Sequence, residues 1–367
     1  MSAYSPRRIA VLGAGGFIGS HLVPALLAAF DCQVEAIDTD LSKLGTHDPR
    51  VTRRLSPIQE PGLIDDLARR CDLIISLTAL CTPALYNTDP LAVIDASYND
   101  LLPVVQSAAK QRARLIHLST CEVYGRRALD LEGRAMERMS EEQTALFLGP
   151  VDRERWTYAC AKQLLERVIW AYGSRGQLDF TIVRPFNVVG ARMDFLPGID
   201  GTGVPRVLAS FMNALLREQP LELVDGGRQR RSFIAVEEFV DGVVRIVARP
   251  SVSNARIFNL GNARNDVSIR ALGEALASAY RARVPGAHFA GFRDVSAEEF
   301  YGHGYDDTSE RIPDLTKAEQ LLDFRPSVTL AEMLPGIVDD YVRRYAPRLP
   351  QGGAEAVGPA PAEAFVA

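Results

Sequence analysis

Arg8-Ile9-Ala10-Val11-Leu12 runs into Gly13-Ala14-Gly15-Gly16-Phe17-Ile18-Gly19, and this stretch decides the fold. The apolar run before the glycines reads as a short buried strand, and the amphipathic segment 20–30 behind them reads as a helix. Glycines between a strand and a helix permit a tight turn. They let backbone N–H groups approach a diphosphate at the helix N-terminus, where the dipole favours negative charge. A second strand, 33–37, ends in Asp38, an acid suited to accept hydrogen bonds from both hydroxyls of a ribose and to repel a 2′-phosphate. The pattern predicts NAD rather than NADP, with Gly13, Gly16, Phe17, Ile18, Gly19 and Asp38 at the cofactor and Leu77, closing a later apolar run, beside it. Alone, the glycine motif is also compatible with an ordinary turn; strand, helix and acid in sequence favour the dinucleotide.

Outward from this motif, apolar runs at 72–77, 114–118 and 180–183 alternate with helical patterns at 90–111 and 156–172. Such alternation predicts an α/β fold, a doubly wound parallel Rossmann-type sheet with helices on both faces. Beyond Arg184-Pro185-Phe186-Asn187 the pattern loosens: Gly- and Pro-rich loops at 197–205, a helical stretch 206–218 and an Asp225-Gly226-Gly227 turn indicate a smaller C-terminal substrate-binding lobe. The expected organisation is a dinucleotide-binding domain over 1–186, to which 232–262 returns, an interleaved substrate lobe over 187–345, and a disordered tail at 350–367 rich in Gly, Ala and Pro.

With 367 residues, 47% of them hydrophobic, the chain can bury a substantial core. The apolar run 17–30 is broken by Ser20, His21 and Pro24 and falls short of the roughly 20 residues a membrane span needs. No charged-then-apolar leader opens the sequence, which predicts a cytoplasmic rather than a secreted protein. Cys32, Cys71, Cys81, Cys121 and Cys160 are an odd, scattered set that fits a reducing compartment; no CxxC or Cys/His cluster calls for a metal. The net charge of −5 argues against nucleic acid as a partner.

The chemistry is concentrated in Leu118-Ser119-Thr120-Cys121-Glu122-Val123-Tyr124-Gly125 and in Tyr158-Ala159-Cys160-Ala161-Lys162. A Tyr and a Lys at i and i+4 share one helix face, so the ammonium can favour the phenolate and make Tyr158 a proton acceptor near neutral pH. Thr120, at a strand end, can hydrogen-bond the same substrate hydroxyl. Most Tyr/Lys pairs at this spacing are surface decoration; the upstream glycine motif raises this one to a candidate for oxidising an alcohol.

These residues together resemble the extended short-chain dehydrogenase/reductase superfamily, NAD-dependent epimerases and dehydratases that act on nucleotide sugars. The resemblance implies oxidation at the sugar 4-hydroxyl and regeneration of the cofactor within one cycle. Sugar 4,6-dehydratases, similar here, carry Asp-Glu after the Thr; the Cys121 thiol is a poorer acid for expelling water, which disfavours dehydration. A retained Glu122 points to chemistry beside the ketone. Were the substrate a uronic acid, oxidation at carbon 4 would create a β-keto acid able to lose carbon dioxide.

A longer series of matches, ALCTPALYN at 79–87, STCEVYG at 119–125, RWTYACAKQL at 155–164, RPFN at 184–187, RMDFLPGIDG at 192–201 and YGHGYDD at 301–307, resembles the UDP-apiose/UDP-xylose synthase family, in the UDP-glucuronate decarboxylase branch. That resemblance implies UDP-glucuronate as substrate, Tyr158 as base with Lys162 and Thr120 in support, and Glu122 with Arg311 at decarboxylation and enolate protonation. It implies that Asn187, Arg206, Arg231 and Tyr305 hold the UDP moiety and the sugar, with Tyr86 near the sugar carboxylate. Cys81 and Cys121 are linked in that family with ring contraction, and a thiol whose unperturbed pKa is about 8.5 can shuttle a proton. Packing is an equal reading for Cys81, and Cys160 reads as core. Arg228 and Arg230, flanking Arg231, suit a diphosphate or solvent equally. A homodimer through the segments 90–111 and 156–172 is likewise implied. A decarboxylase without ring contraction is the competing enzyme, and a non-catalytic dinucleotide-binding regulator the competing class, disfavoured because both Tyr158 and Lys162 are present.

Overall fold

The structure is a computed structural model and describes residues 5–79, 83–301, 308 and 310–349. Seven parallel strands form the central sheet: β1 (Arg8–Leu12), β2 (Gln33–Asp38), β3 (Val51–Leu55), β4 (Leu73–Ser76), β5 (Arg114–Leu118), β6 (Phe180–Pro185) and β7 (Arg256–Leu260), in the spatial order β7-β6-β5-β4-β1-β2-β3. The order reverses between β1 and β4, and in open sheets of this kind ligands bind outside the carboxyl ends of the strands at that point.

Alternation along each strand sorts the core onto two faces. In β1, Ile9 and Val11 pack under the helices Phe17–Ala29 and Val236–Ala248, whereas Ala10 and Leu12 pack under Leu63–Arg70, Leu102–Gln111 and Thr157–Ser174. Covered on both sides, β1, β4 and β5 are apolar with little interruption, as buried parallel strands are. Each fully buried Val, Leu or Ile in them contributes about 1.5–3 kcal/mol relative to exposure. A third apolar cluster lies in the C-terminal part, where Val207–Leu216, Ile269–Arg283 and Leu330–Tyr345 pack around Phe211, Leu272, Leu276 and Tyr341.

Three details differ from the sequence expectation. The segment 90–111 is not one helix: Pro90–Ile94 leads through a π-turn, Asp95–Asn99, to Leu102–Gln111. β3 and β7 are sheet strands that the apolar pattern did not single out; β3 is an edge strand whose Arg53 and Arg54 give it a charged signature. The segment 232–247, whose apolar pattern suggests one strand and a helix, is entered through two short strands, Arg230–Ser232 and Ile234–Ala235, before the helix Val236–Ala248. No helix among the described residues is long and apolar enough to cross a membrane.

Candidate active site

The glycine turn follows β1 directly. Gly13 has φ +85°, and a Cβ on Gly15 would stand 1.7 Å from the Asp40 carbonyl oxygen, so the loop closes only with glycine at these positions. A Cβ on Gly13 would also meet Leu77, which places the loop against the end of β4. The helix Phe17–Ala29 starts at Gly16 with no side-chain cap and no acidic residue in its first turn. Its N-terminal N–H groups and the positive end of its dipole therefore face the carboxyl edge of the sheet. Asp38, at the end of β2, accepts from the Gly15 N–H at 2.9 Å and from the Asp40 N–H at 3.3 Å, which pins its carboxylate beside the loop. Past the ends of β4 and β5, the hydroxyls of Thr78 and Ser119 are shut from solvent with no hydrogen-bond partner among the described residues. A glycine cradle, an uncapped helix start, a fixed carboxylate and orphaned hydroxyls at the switch point fit NAD.

The residues after β5 turn sharply. Thr120 caps a 3-10 turn, Cys121–Tyr124, by accepting from the Glu122 N–H at 3.2 Å, and Gly125 ends it with φ +81° and its N–H bonded to the Glu122 carbonyl at 2.9 Å. Tyr124 anchors the turn from below: its hydroxyl donates to Asn259 Oδ1 at 2.8 Å, and its ring lies under Arg184, itself in a buried ion pair with Glu166. Burial raises the Tyr124 phenol well above its usual range, so it remains a donor.

The helix Thr157–Ser174 brings up the other half. Lys162 is fully buried and donates to the Leu118 carbonyl at 3.1 Å, tying the helix to the end of β5. Tyr158, one turn earlier, stacks on Tyr86 with ring centroids 5.1 Å apart. Arg155, in the 3-10 turn Glu154–Trp156, lies over the same Tyr86 ring at 5.2 Å.

Glu122 is clamped by two guanidiniums. Its Oε2 accepts from Arg155 Nη1 at 2.6 Å and its Oε1 from Arg311 Nη1 at 3.1 Å. Burial alone would push this carboxyl up; Arg155 and Arg311 outweigh it and hold the pKa at about 2. Glu122 is an ionised acceptor at any physiological pH. Beside it, burial pushes the Cys121 thiol above its usual range, against a downward pull from Arg311.

Tyr158, Lys162, Thr120, Cys121, Glu122, Arg311 and Tyr86 thus converge on one site; Phe17, at the start of the helix after the glycine turn, meets the C-terminal part, where Arg206 lies over its ring at 5.9 Å. Arg206 also grips Asp194 through Nε and Nη2. Asn187 takes φ +35° and donates from Nδ2 to the Ser232 carbonyl at 3.1 Å, while Arg231 donates to the Thr308 carbonyl at 2.9 Å. Arg311 Nη2 reaches Thr308 Oγ1 at 3.4 Å, so Arg231 and Arg311 meet at one residue. Arg230 is paired with Asp266 and Arg228 is exposed. Cys81 and Tyr305 lie outside the described residues. Cys160 corrects the sequence reading: it is exposed, because two residues on from Tyr158 a helix has turned about 200° away from the packed face. Arg155 was missed; its neighbours Trp156 and Tyr158 gave the local signal, but its partner Glu122 is 33 positions away.

Among the described residues no cluster of His, Cys, Asp or Glu could hold a metal ion. Fold and site define a dinucleotide-dependent enzyme with a Tyr/Lys pair at the carboxyl edge of a doubly wound sheet. The family model described as the NAD dependent epimerase/dehydratase family matches residues 9–261, and the chain belongs to that family. Its relatives include UDP-D-apiose/UDP-D-xylose synthase 1 of Arabidopsis thaliana, 41% identical over 93% of this chain and 92% of the relative, and UDP-D-apiose/UDP-D-xylose synthase of Oryza sativa subsp. japonica, 42% identical over 90% and 88%. Among solved structures, the PbgP3 protein from Burkholderia pseudomallei superposes with a TM-score of 0.80 at 31% identity, covering 93% of this chain and 97% of that one.

Proposed function

We propose that the chain converts UDP-glucuronate, by NAD-dependent decarboxylation through a UDP-4-keto sugar, into UDP-xylose, UDP-apiose or both. The observation that carries this reading is the ionised Glu122 held between Arg155 and Arg311 beside Thr120 and Tyr158. A carboxylate kept ionised is the wrong group for expelling water as an acid. Positive groups around it suit a substrate that carries a carboxylate and passes through an enolate. Identity of 41% along nearly the whole of a plant UDP-D-apiose/UDP-D-xylose synthase supports the same reading.

In this scheme the Tyr158 phenolate takes the proton of the sugar 4-hydroxyl, with Lys162 favouring the phenolate and the Thr120 hydroxyl donating to the same oxygen. Bound NAD supplies the two-electron acceptor for that oxidation and the donor for the closing reduction. The new ketone lies β to the carboxylate, so the carbon–carbon bond breaks with its electron pair delocalised onto the ketone oxygen and carbon dioxide departs. Arg311 stabilises the negative charge before and after this step. Glu122 accepts rather than donates; it orients a water that gives the enolate its proton. Asn187, Arg206, Arg231 and Tyr305 hold the UDP moiety and sugar, and Tyr86 lies near the sugar carboxylate. Gly13, Gly16, Phe17, Ile18, Gly19, Asp38 and Leu77 hold the cofactor between the 1–186 unit and the substrate lobe.

A second reading, release of the pentose without ring contraction, is favoured by the Cys121 thiol: pushed up by burial, it gives its proton to a sugar alkoxide less readily than an ordinary thiol. Exposed Leu91, Leu164 and Trp170, on the helices Pro90–Ile94 and Thr157–Ser174, support a homodimer through these helices, and the free cysteines support a cytoplasmic site of action. Proton NMR of the products formed from UDP-glucuronate tests the scheme: an unchanged substrate excludes decarboxylation, and pentopyranose signals alone exclude contraction.

A further inference from the structure

Two parts of the molecule that serve different ligands meet at one residue, Asp194. Its main-chain carbonyl accepts from Lys43 Nζ at 3.0 Å, and its carboxylate grips the Arg206 guanidinium, with Oδ1 2.8 Å from Nη2 and Oδ2 3.0 Å from Nε. Lys43 lies in the loop 39–44 behind Asp38; Arg206 stands at the N-cap of the helix Val207–Leu216 in the C-terminal part. We propose that Asp194 is a positioning residue that ties the placement of Arg206 to the cofactor loop, so that NAD and the diphosphate of the nucleotide sugar bind with positive coupling. This rests on the reading of Arg206 as a contact to the UDP moiety.

The loop 39–44 leans on the glycine turn. A Cβ on Gly15 would stand 1.7 Å from the Asp40 carbonyl oxygen and 2.9 Å from Leu41 Cα, and Asp38 accepts from the Gly15 N–H. Asp40 folds the loop back by accepting from the Ser42 N–H at 2.8 Å, and the Leu44 N–H closes on the Leu41 carbonyl at 3.1 Å. A ribose on Asp38 and a diphosphate in the glycine turn therefore settle the path of the chain as far as Lys43. The far contact is double, because the Lys43 carbonyl itself accepts from Arg192 Nη1 at 3.4 Å.

On the other side, Arg192 and Asp194 have φ of +64° and +50°, a left-handed backbone that a non-glycine residue keeps only where its surroundings hold it. The C-terminal helix Leu330–Tyr345 supplies part of that hold: Asp340 accepts from the Arg192 N–H at 2.8 Å, and the Tyr341 hydroxyl donates to the Met193 carbonyl at 2.8 Å. These bonds fix the two residues before Asp194, and Lys43 fixes Asp194 itself. Carbonyl and side chain share one Cα, so an anchor on the first limits the reach of the second. Asp194 also accepts from the Arg206 N–H at 3.1 Å, and the Arg206 guanidinium lies over Phe17, the first residue of the cofactor helix. A guanidinium held along one edge by a carboxylate presents a fixed plane to a diphosphate, whereas an unheld one loses rotamer freedom on binding.

Coupling of this kind is reciprocal: the factor by which UDP tightens NAD equals the factor by which NAD tightens UDP. Calorimetry on the full chain reads it, with NAD and UDP each titrated in the absence and in the presence of a saturating amount of the other. UDP lacks the sugar, which keeps the two ligands from touching at the nicotinamide. The wild type is expected to bind each ligand about fivefold or more tightly when the other is present. Lys43→Met is expected to bring that factor close to one, and Lys43→Arg, which keeps a donor, to retain it. Asp194→Asn tolerates the same positive φ and keeps the carbonyl but not the charge; it is expected to lose the factor as well. A general loosening of the fold would weaken both ligands and leave the factor in place. A factor of one in the wild type, with both ligands binding, overturns the bridge and leaves the proposed function standing, and a factor that survives Lys43→Met overturns the route through Lys43. Failure of UDP to bind the NAD-loaded wild type overturns the bridge together with the proposed function.

Discussion

Arg311 Nη1 donates to Glu122 Oε1 at 3.1 Å across 189 positions of the chain, inside a site that also encloses Arg155. The pair joins the segment after β5 to the C-terminal part of the chain. Its stability has a pH signature. The Glu122 carboxyl lies at about 2 in the folded protein against 4.5 as its ordinary value, so its contribution is fully present above about pH 4.5 and is lost as pH falls toward 2. Denaturant titrations of wild type and Glu122→Gln are expected to differ by a few kcal/mol at pH 7 and to converge across that window; a difference that does not narrow there contradicts the ionised clamp.

Removing one arginine leaves Glu122 to the other. Arg155→Met leaves the buried Glu122 with Arg311 as its remaining guanidinium partner and is expected to cost about 1.5–3 kcal/mol, the range for losing a hydrogen bond to a charged group. Thermal or chemical unfolding reads this directly, and a neutral result shows that Arg311 alone suffices.

Tyr158→Phe keeps the ring stacked on Tyr86 and removes the hydroxyl proposed as the acid–base group. Turnover is expected to fall on the order of 10² to 10⁴-fold, while NAD binding by calorimetry stays near wild type. Turnover at the native rate contradicts Tyr158 as the base.

Asp38→Asn retains a group able to bond the Gly15 N–H but drops the charge that repels a 2′-phosphate. The preference for NAD over NADP, read as a ratio of dissociation constants, is expected to shrink by about tenfold or more.

Cys121→Ser is expected to change the ratio of branched to pentopyranose product, and Cys160→Ser, on an exposed helix face, to leave it unchanged. Product NMR separates the two; equal ratios for wild type and Cys121→Ser remove the thiol from the ring chemistry.

The fold was legible where one physical cause dominates. β1, β4 and β5 are buried on both faces, so their apolar runs show in the sequence, and the glycines at 13, 15 and 19 mark a turn that tolerates no side chain. β3 was not legible because an edge strand with exposed Thr52, Arg53 and Leu55 has no apolar pattern; its place is set by pairing with β2. The π-turn at Asp95–Asn99 has no local signature; it packs on the helix Thr157–Ser174, a tertiary contact that the sequence pattern does not carry. In the site, Tyr158 and Lys162 were readable from their spacing. Arg155 was not, since its meaning depends on Glu122, reached only through tertiary structure. The Cys160 misreading has the same origin: residue type favours burial, but the helix phase decides.

The most direct measurement of the central claim is release of labelled carbon dioxide from UDP-glucuronate carrying carbon-13 at carbon 6, in the presence of NAD. The account predicts one labelled carbon dioxide for each nucleotide pentose formed, with no net gain of NADH at completion. A labelled carbon that stays in the sugar while the 4-position is epimerised or oxidised would contradict it.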